Sequence, residues 1–289
     1  MDKNLIQRTI SGLVYVFVII CCTTPLGAYL LSNIFPALQP FHLFYALMTL
    51  FLFAGAWECL KMMKFDNSWE KWAVFPVIAI VYYRFSKRFF QHGFYYNFNL
   101  SEILALSLIL IAVLTLFRFT KELYQENGKL IFTVIYTALP FSFALGLPRF
   151  SAVDKIFTLE VFFLFVLIWS SDTFAYLVGK FFGKHKMAPK ISPKKTWEGY
   201  FGGVVLTVIL GFFIEKYHPD LRGNWIVVGL LTALFAPLGD LVESQLKRTF
   251  GAKDSGNFIP GHGGFLDRLD SFLICAPVVY LYFVLEKMI

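Results

Sequence analysis

The feature that most constrains this chain is a succession of long apolar runs separated by short polar segments. They cover roughly residues 10–31, 41–60, 72–83, 101–117, 130–147, 157–178, 199–214, 225–246 and 269–285. A helix needs about 20 apolar residues to cross the hydrocarbon core of a bilayer, and most of these runs come near that length. The whole chain is 57% hydrophobic and only 16% charged, whereas a soluble domain carries about a quarter charged residues. The expectation is an all-α, polytopic integral membrane bundle with about nine transmembrane helices. The third run is short and carries Pro76, and the first carries Pro25, so it reads as two half-helices as readily as one span.

Charge distribution sets an orientation. With the N-terminus cytoplasmic and nine spans, eighteen of the 26 Lys and Arg fall on the cytoplasmic side, as the positive-inside bias requires. Both long polar loops, near 180–198 and 247–268, then face the cytoplasm. Lys3 and Arg8 precede the first run and no small-residue cleavage site follows, so that run reads as a retained signal anchor. The net charge of +7 is what positive-inside loops and anionic headgroups produce, and no nucleic-acid-binding motif accompanies it. The aromatic, basic segment 84–99 reads as an interfacial helix or loop. Cys21, Cys22, Cys59 and Cys275 all sit in apolar runs without zinc-ligand spacing, so neither a metal site nor a disulfide is expected of them. With no internal repeat or linker, the chain is read as a single domain over 1–289.

Two polar clusters break the apolar background. In the first, Asp172, Tyr176 and Gly179 are spaced to share one helix face. After them Pro193 stiffens a loop carrying Ser192, Lys194, Lys195 and Thr196, a set suited to holding phosphate. Alternatives are a helix cap or interhelical hydrogen bond for Asp172 and headgroup contacts for the lysines. Glu198 opens the next helix, where a carboxylate suits the dipole; structural and functional roles weigh equally there. The second cluster, 240–271, is denser. Asp240, Glu243, Ser244 and Lys247 form a stripe at helical spacing, which lipid cannot solvate. Pro237 and Gly239 just before it suggest an opened helix that frees carbonyls. Arg248, Lys253 and Asp254 follow, then a loop with Gly251, Gly256, Gly261, Gly263 and Gly264 able to form an anion nest around His262. Asp267, Arg268 and Asp270 begin the last helix. Carboxylates hold a divalent metal and Lys/Arg hold phosphates, so the pattern points to a metal-assisted polyphosphate site. Asp240 and Asp267 are expected to converge on one ion. The competing possibility is a set of buried ion pairs, Asp267 with Lys247 for example.

The run from Ser244 to Asp270, SQLKRTFGAKDSGNFIPGHGGFLDRLD, resembles the signature of the phosphatidate cytidylyltransferases, also called CDP-diacylglycerol synthases. The upstream Ser192-Pro-Lys-Lys-Thr-Trp-Glu-Gly199 and Asp172-x3-Tyr176 are similar to that family too, so the likeness covers roughly 170–271. It implies an enzyme of a bacterial-type inner membrane, with its site facing the cytoplasm. The reaction would join CTP to phosphatidic acid, giving CDP-diacylglycerol and pyrophosphate. The resemblance also implies Mg2+ on Asp240 and Asp267, with Asp270 and Asp172 as further ligand candidates, a monovalent cation such as K+ beside it, and a homodimer. Asp240, Asp267, Lys247, Arg248, Lys253 and Arg268 are the expected catalytic set. Ser192, Lys194, Lys195, Thr196, Ser244, His262, Gly263 and Gly264 are the expected substrate-binding set. Residues 151–289 would carry catalysis, and 1–150 would be a lipid or dimer scaffold. Two rivals remain open: a CTP-dependent polyprenol- or dolichol-type kinase, whose alcohol acceptor would need a base, and an ion-coupled transporter, which would place its charges near mid-bilayer.

Overall fold

The structure is a computed structural model that describes residues 3–65, 68–90, 100–150, 159–256, 258 and 263–288. The protein is helical, and its helices fall on the apolar runs. Helix α1 (Lys3–Thr23) stops short of Pro25, and a separate helix α2 (Leu26–Leu31) follows, since proline cannot donate the N–H that would continue the first. Helix α3 (Pro40–Met63) starts with proline at its first turn and ends at Lys64 in the left-handed region, φ 51°. Helix α4 (Ser68–Phe90) runs through Pro76 and takes in the described part of the basic aromatic segment; 91–99 lie outside the described residues. Helix α5 spans Leu100–Arg118, and two short helices follow, α6 (Thr120–Leu123) and α7 (Glu126–Thr133).

The fifth apolar run is not one regular helix. It passes from α7 through a π-helical turn at Val134–Ala138 into α8 (Leu139–Ala144) and a 3-10 turn at Leu147–Phe150. Pro140 near the start of α8 removes the hydrogen bond that would close on the carbonyl four residues earlier, and a widened turn accommodates the loss.

The remaining elements form the half of the molecule that carries the charge. Helix α9 (Leu159–Phe182) leads into a two-stranded antiparallel hairpin, β1 (Lys186–Ala188) and β2 (Ser192–Thr196). The expected helical class holds; within the segment 180–198, expected as a loop, the chain forms this one short hairpin. Three helices follow: α10 (Trp197–Tyr217), α11 (Trp225–Thr249) and α12 (Leu266–Met288). Each packs on the one before it in sequence, and α9 also lies against α11 and α12. Among the described residues five helices, α3, α9, α10, α11 and α12, are long and apolar enough to cross a membrane. The protein is thus an integral membrane protein of helical class.

Caps fix where the helices begin. Thr196 Oγ1 accepts the Gly199 N–H (3.2 Å) at the start of α10. Asn224 Oδ1 accepts from Val227 (3.0 Å) at the start of α11, where Glu215 also takes the Trp225 N–H (2.9 Å). The core between α9 and α12 is aromatic: Phe165 and Phe272 are fully buried and stack with ring centroids 4.6 Å apart. Helix α11 does not open at Pro237 and Gly239 as expected; it continues unbroken. Gly239 instead lets α12 approach, because a Cβ there would lie 2.5 Å from the Asp270 carbonyl oxygen and 2.7 Å from the Ser271 Cα.

That crossing predicts that Gly239→Val destabilises the purified protein by about 1–3 kcal/mol, the usual cost of overpacking, read as a lower unfolding midpoint in detergent. Val205→Ala, which changes an exposed side chain on α10, leaves the midpoint within about 0.5 kcal/mol of its original value.

Candidate functional site

Because α9 to α12 run up and down against one another, the end of α9, the hairpin, the second half of α11 and the start of α12 meet at one end of the bundle. A cavity of about 970 Å3 opens there, at the upper end of the roughly 300–1,000 Å3 range of small-molecule sites. Its acidic lining is Asp172, Asp240, Asp267 and Asp270, and its basic lining is Lys180, Lys186, Lys194, Lys195, Lys247 and Arg268. Ser192 and Thr196 line it as well, while Tyr15, Val16, Ile168 and Trp169 give it an apolar side between α1 and α9. The two polar clusters of the sequence therefore form one site.

Each of the two expected metal ligands faces a lysine. Asp240 Oδ2 is 2.8 Å from Lys195 Nζ, and Asp240 Oδ1 accepts the Ser244 hydroxyl (3.0 Å). Lys195 Nζ also donates to the Pro237 carbonyl (2.9 Å), so Pro237 does offer an oxygen to the site without the helix opening. Asp267 Oδ1 is 2.6 Å from Lys247 Nζ. Its Oδ2 accepts the N–H groups of Ser255 (3.0 Å) and Gly264 (2.8 Å) and lies 2.9 Å from Ser255 Oγ, whose one proton it shares with a second carboxylate. Lys247 also pairs with Glu243, whose side chain is wholly buried. The ion pair between Asp267 and Lys247, the competing possibility of the sequence, is thus present.

The remaining carboxylates carry less compensation. Asp172 opens into the cavity without a hydrogen-bond partner among the described residues. Asp270 accepts its neighbour's N–H, from Ser271 at 2.6 Å, and lies within electrostatic reach of Asp240 and Asp172. Among the described residues no three His, Cys, Asp or Glu are close enough to enclose a metal. A cage of that kind is not what Mg2+ takes: it is held by one or two carboxylates and completes its octahedron with substrate phosphates and water. Hard oxygen donors, two of which (Asp172 and Asp270) have no ion pair among the described residues, beside cations able to take phosphate, fit that ion.

Other expected residues stand elsewhere. Arg248 and Lys253 are exposed and outside the cavity lining, Arg248 donating to the Ala252 carbonyl (3.4 Å). Gly263 and Gly264 do not line the cavity but shape the turn behind Asp267: Gly263 has φ +86°, and a Cβ there would lie 2.6 Å from Asp267 Oδ2. His262 and Gly261 lie outside the described residues. Glu198 accepts the backbone N–H of Lys184 (3.0 Å) and His185 (3.1 Å) and pairs with the His185 ring (2.5 Å). It ties the hairpin to α10, which is a structural role.

Sequence reasoning missed two partners. Ser255 looked like one more loop residue, and no signal marked it. Glu58 stands inside an apolar run, where a lone carboxylate is itself a functional signal. Glu58 Oε2 accepts the N–H of Leu266 (2.9 Å) and the hydroxyl of Ser255 (3.2 Å).

The fold and site together define a helical membrane protein with a cavity at one end of the bundle lined by both acidic and basic side chains. The chain belongs to the cytidylyltransferase family, whose model matches residues 6–285. Among its relatives is a phosphatidate cytidylyltransferase of Bacillus subtilis (strain 168), 39% identical over 198 residues, which are 66% of this chain and 72% of that protein. A Staphylococcus aureus (strain COL) protein of the same name is 39% identical over 186 residues, 63% of this chain and 68% of that one. Another, from Staphylococcus epidermidis (strain ATCC 12228), is 46% identical over 122 residues, 41% of this chain and 46% of its own.

The burial of Glu243 yields a prediction about stability. Lys247→Met leaves that carboxylate unpaired and should cost about 3–5 kcal/mol, the usual penalty for half of a buried ion pair. Adding Glu243→Gln should restore much of the loss. Urea unfolding of the parent and the two variants in detergent checks this; a Lys247→Met variant as stable as the parent would show the pair to be dispensable.

Proposed function

We propose that this protein transfers the cytidylyl group of CTP to phosphatidic acid, giving CDP-diacylglycerol and pyrophosphate. The observation that carries the proposal is the cavity itself. It joins acidic and basic side chains at one end of the bundle to an apolar wall between α1 and α9, matching an acceptor with a charged head and acyl chains. Family membership and relatives of that name support the same reading.

The acceptor phosphate is already ionised at neutral pH, so the attacking oxygen needs no general base. What the chain must supply is relief from the repulsion between two polyanions and a fixed line of attack. Lys194, Lys195, Lys247 and Arg268 line the cavity where phosphates would enter and bind them, with Ser192 and Thr196 adding hydroxyls. Asp240 and Asp267 hold Mg2+, with Asp270 and Asp172 beside them. Bound Mg2+ supplies charge neutralisation on the α-phosphoryl group and on the departing pyrophosphate. Asp267 has only Oδ1 left for that duty, because Oδ2 is committed to Ser255 and Gly264. Arg248 and Lys253, exposed beyond the cavity rim, would draw the nucleotide in by long-range attraction. The apolar wall keeps the acyl chains in the bilayer while the head reaches the site.

The same reading carries nine spans, with the N-terminus and the cavity on the cytoplasmic side of an inner membrane, and a homodimer. Its support is the excess of Lys and Arg in the segments that share the cavity's side.

The test is conversion in detergent micelles. Purified protein with CTP, phosphatidic acid and Mg2+ should release pyrophosphate and form CDP-diacylglycerol, and chelation should stop it. Asp240→Asn should lower kcat/KM by at least about 100-fold, the scale on which one electrostatic partner of phosphoryl transfer acts, with the unfolding midpoint near that of the parent. Pyrophosphate release without phosphatidic acid, or turnover indifferent to chelator, would overturn the reading.

A further inference from the structure

Glu58 belongs to α3, yet its carboxylate is enclosed by the charged stretch some 200 residues away. It is 4% exposed. Its Oε2 receives the Leu266 N–H at the first turn of α12 and lies 3.2 Å from Ser255 Oγ. Its Oε1 is buried with no hydrogen-bond partner among the described residues. The backbone is cut to fit it: a Cβ on Gly256 would lie 2.5 Å from Oε1, and a Cβ on Gly264 would collide with Oε2. Glu58 does not line the cavity, so it does not meet substrate.

What Glu58 touches leads directly to Asp267. Ser255 Oγ lies 2.9 Å from Asp267 Oδ2 and accepts the Asp267 N–H (3.3 Å). One hydroxyl proton therefore sits between two carboxylates. Asp267 Oδ2 is held from three directions by Ser255 and Gly264, which turns Oδ1 toward Lys247 and the cavity. A buried carboxylate is costly unless its bonds recover the desolvation, and an α12 cap alone needs only a neutral acceptor. A negative charge at that helix start is also favoured by its dipole.

We infer that Glu58 is a positioning residue for the site. It fixes Ser255 and the first turn of α12, and through them the orientation of the Asp267 carboxylate. The inference rests on the metal role proposed for Asp267. It assigns to α3, in the half of the chain read as scaffold, a part in holding the metal.

The test compares Glu58→Ala, Glu58→Gln and Ser255→Ala with the parent as full-length protein in detergent. Two readouts are taken: the Mg2+ concentration for half-maximal turnover, and hydrogen exchange at the amides of 264–267 without metal. Removing a group that orients a metal-binding carboxylate usually costs about 10–100-fold in metal affinity. Glu58→Ala should raise the Mg2+ midpoint on that scale and speed exchange at 264–267. Ser255→Ala should move both in the same direction. Glu58→Gln keeps an acceptor oxygen and should stay closer to the parent in both. A merely structural residue would reduce the amount of active protein and leave the Mg2+ midpoint unmoved; that outcome, or unchanged exchange, overturns the inference. If Glu58→Ala does not fold, Ser255→Ala decides: a parental midpoint overturns it. If the parent itself makes no CDP-diacylglycerol, the functional reading fails, while the exchange data still show whether Glu58 orders this turn.

Discussion

Charges inside an apolar bundle have to satisfy one another, because neither lipid nor core side chains can do it. Here that requirement produces one continuous chain of contacts: Glu243 to Lys247, Lys247 to Asp267, Asp267 to Ser255, and Ser255 to Glu58. It crosses from α11 to α12, through the loop between them, and ends on α3. A break anywhere leaves a buried carboxylate or ammonium exposed to a low-dielectric interior, which costs far more than a lost surface pair. The glycines of the signature follow from the same constraint. Gly256, Gly263 and Gly264 lie where side-chain carbon would occupy the space of a carboxylate oxygen, so the loop keeps backbone alone on that side.

The second ion pair does for the hairpin what the first does for the loop. Lys195 reaches from β2 to Asp240 and to the Pro237 carbonyl on α11. Thr196, next in sequence, caps α10, and Glu198 two residues later ties the residues just before the hairpin's first strand to the same helix. The lysine that faces the cavity is thus placed by the residues that start α10. Fold and site are held by the same bonds, and for that reason the polar residues cluster where four helix ends meet rather than along the bundle.

Much of this was legible in the sequence because its period is a helix's own. Asp240, Glu243, Ser244 and Lys247 recur at the spacing of one helix face, and α11 does present them as a stripe. The proline at position 25 divided the first run, and α12 begins at Asp267's turn as the charges suggested. Other features depend on contacts across the chain that no local pattern encodes. Glu58 and Leu266 are 208 residues apart; nothing in the run around Glu58 names its partner. The hairpin at 186–196 reads as loop because its strands are three and five residues long, too short for alternation to register. The fifth run reads as one span because apolarity is conserved across it, while Pro140 acts on hydrogen bonds rather than on hydropathy. Arg248 and Lys253 show the converse limit: a motif groups them with Lys247, but helical geometry at the end of α11 sends Arg248 outward, and Lys253 lies exposed in the loop beyond that helix.

The pairing of lysines with the acidic side chains bears on how the proposed reaction begins. Lys195 and Lys247 are the cations best placed by the fold, yet each already faces an aspartate. A phosphate arriving alone would have to compete with a carboxylate for each of them, at close range and low dielectric. Lys195 and Lys247 can turn to phosphate only when Asp240 and Asp267 have another cation to face. Asp172 and Asp270 add negative charge that no lysine fully offsets. On the proposed chemistry, nucleotide and divalent ion must therefore arrive together, since either one alone would leave like charges opposed across the cavity.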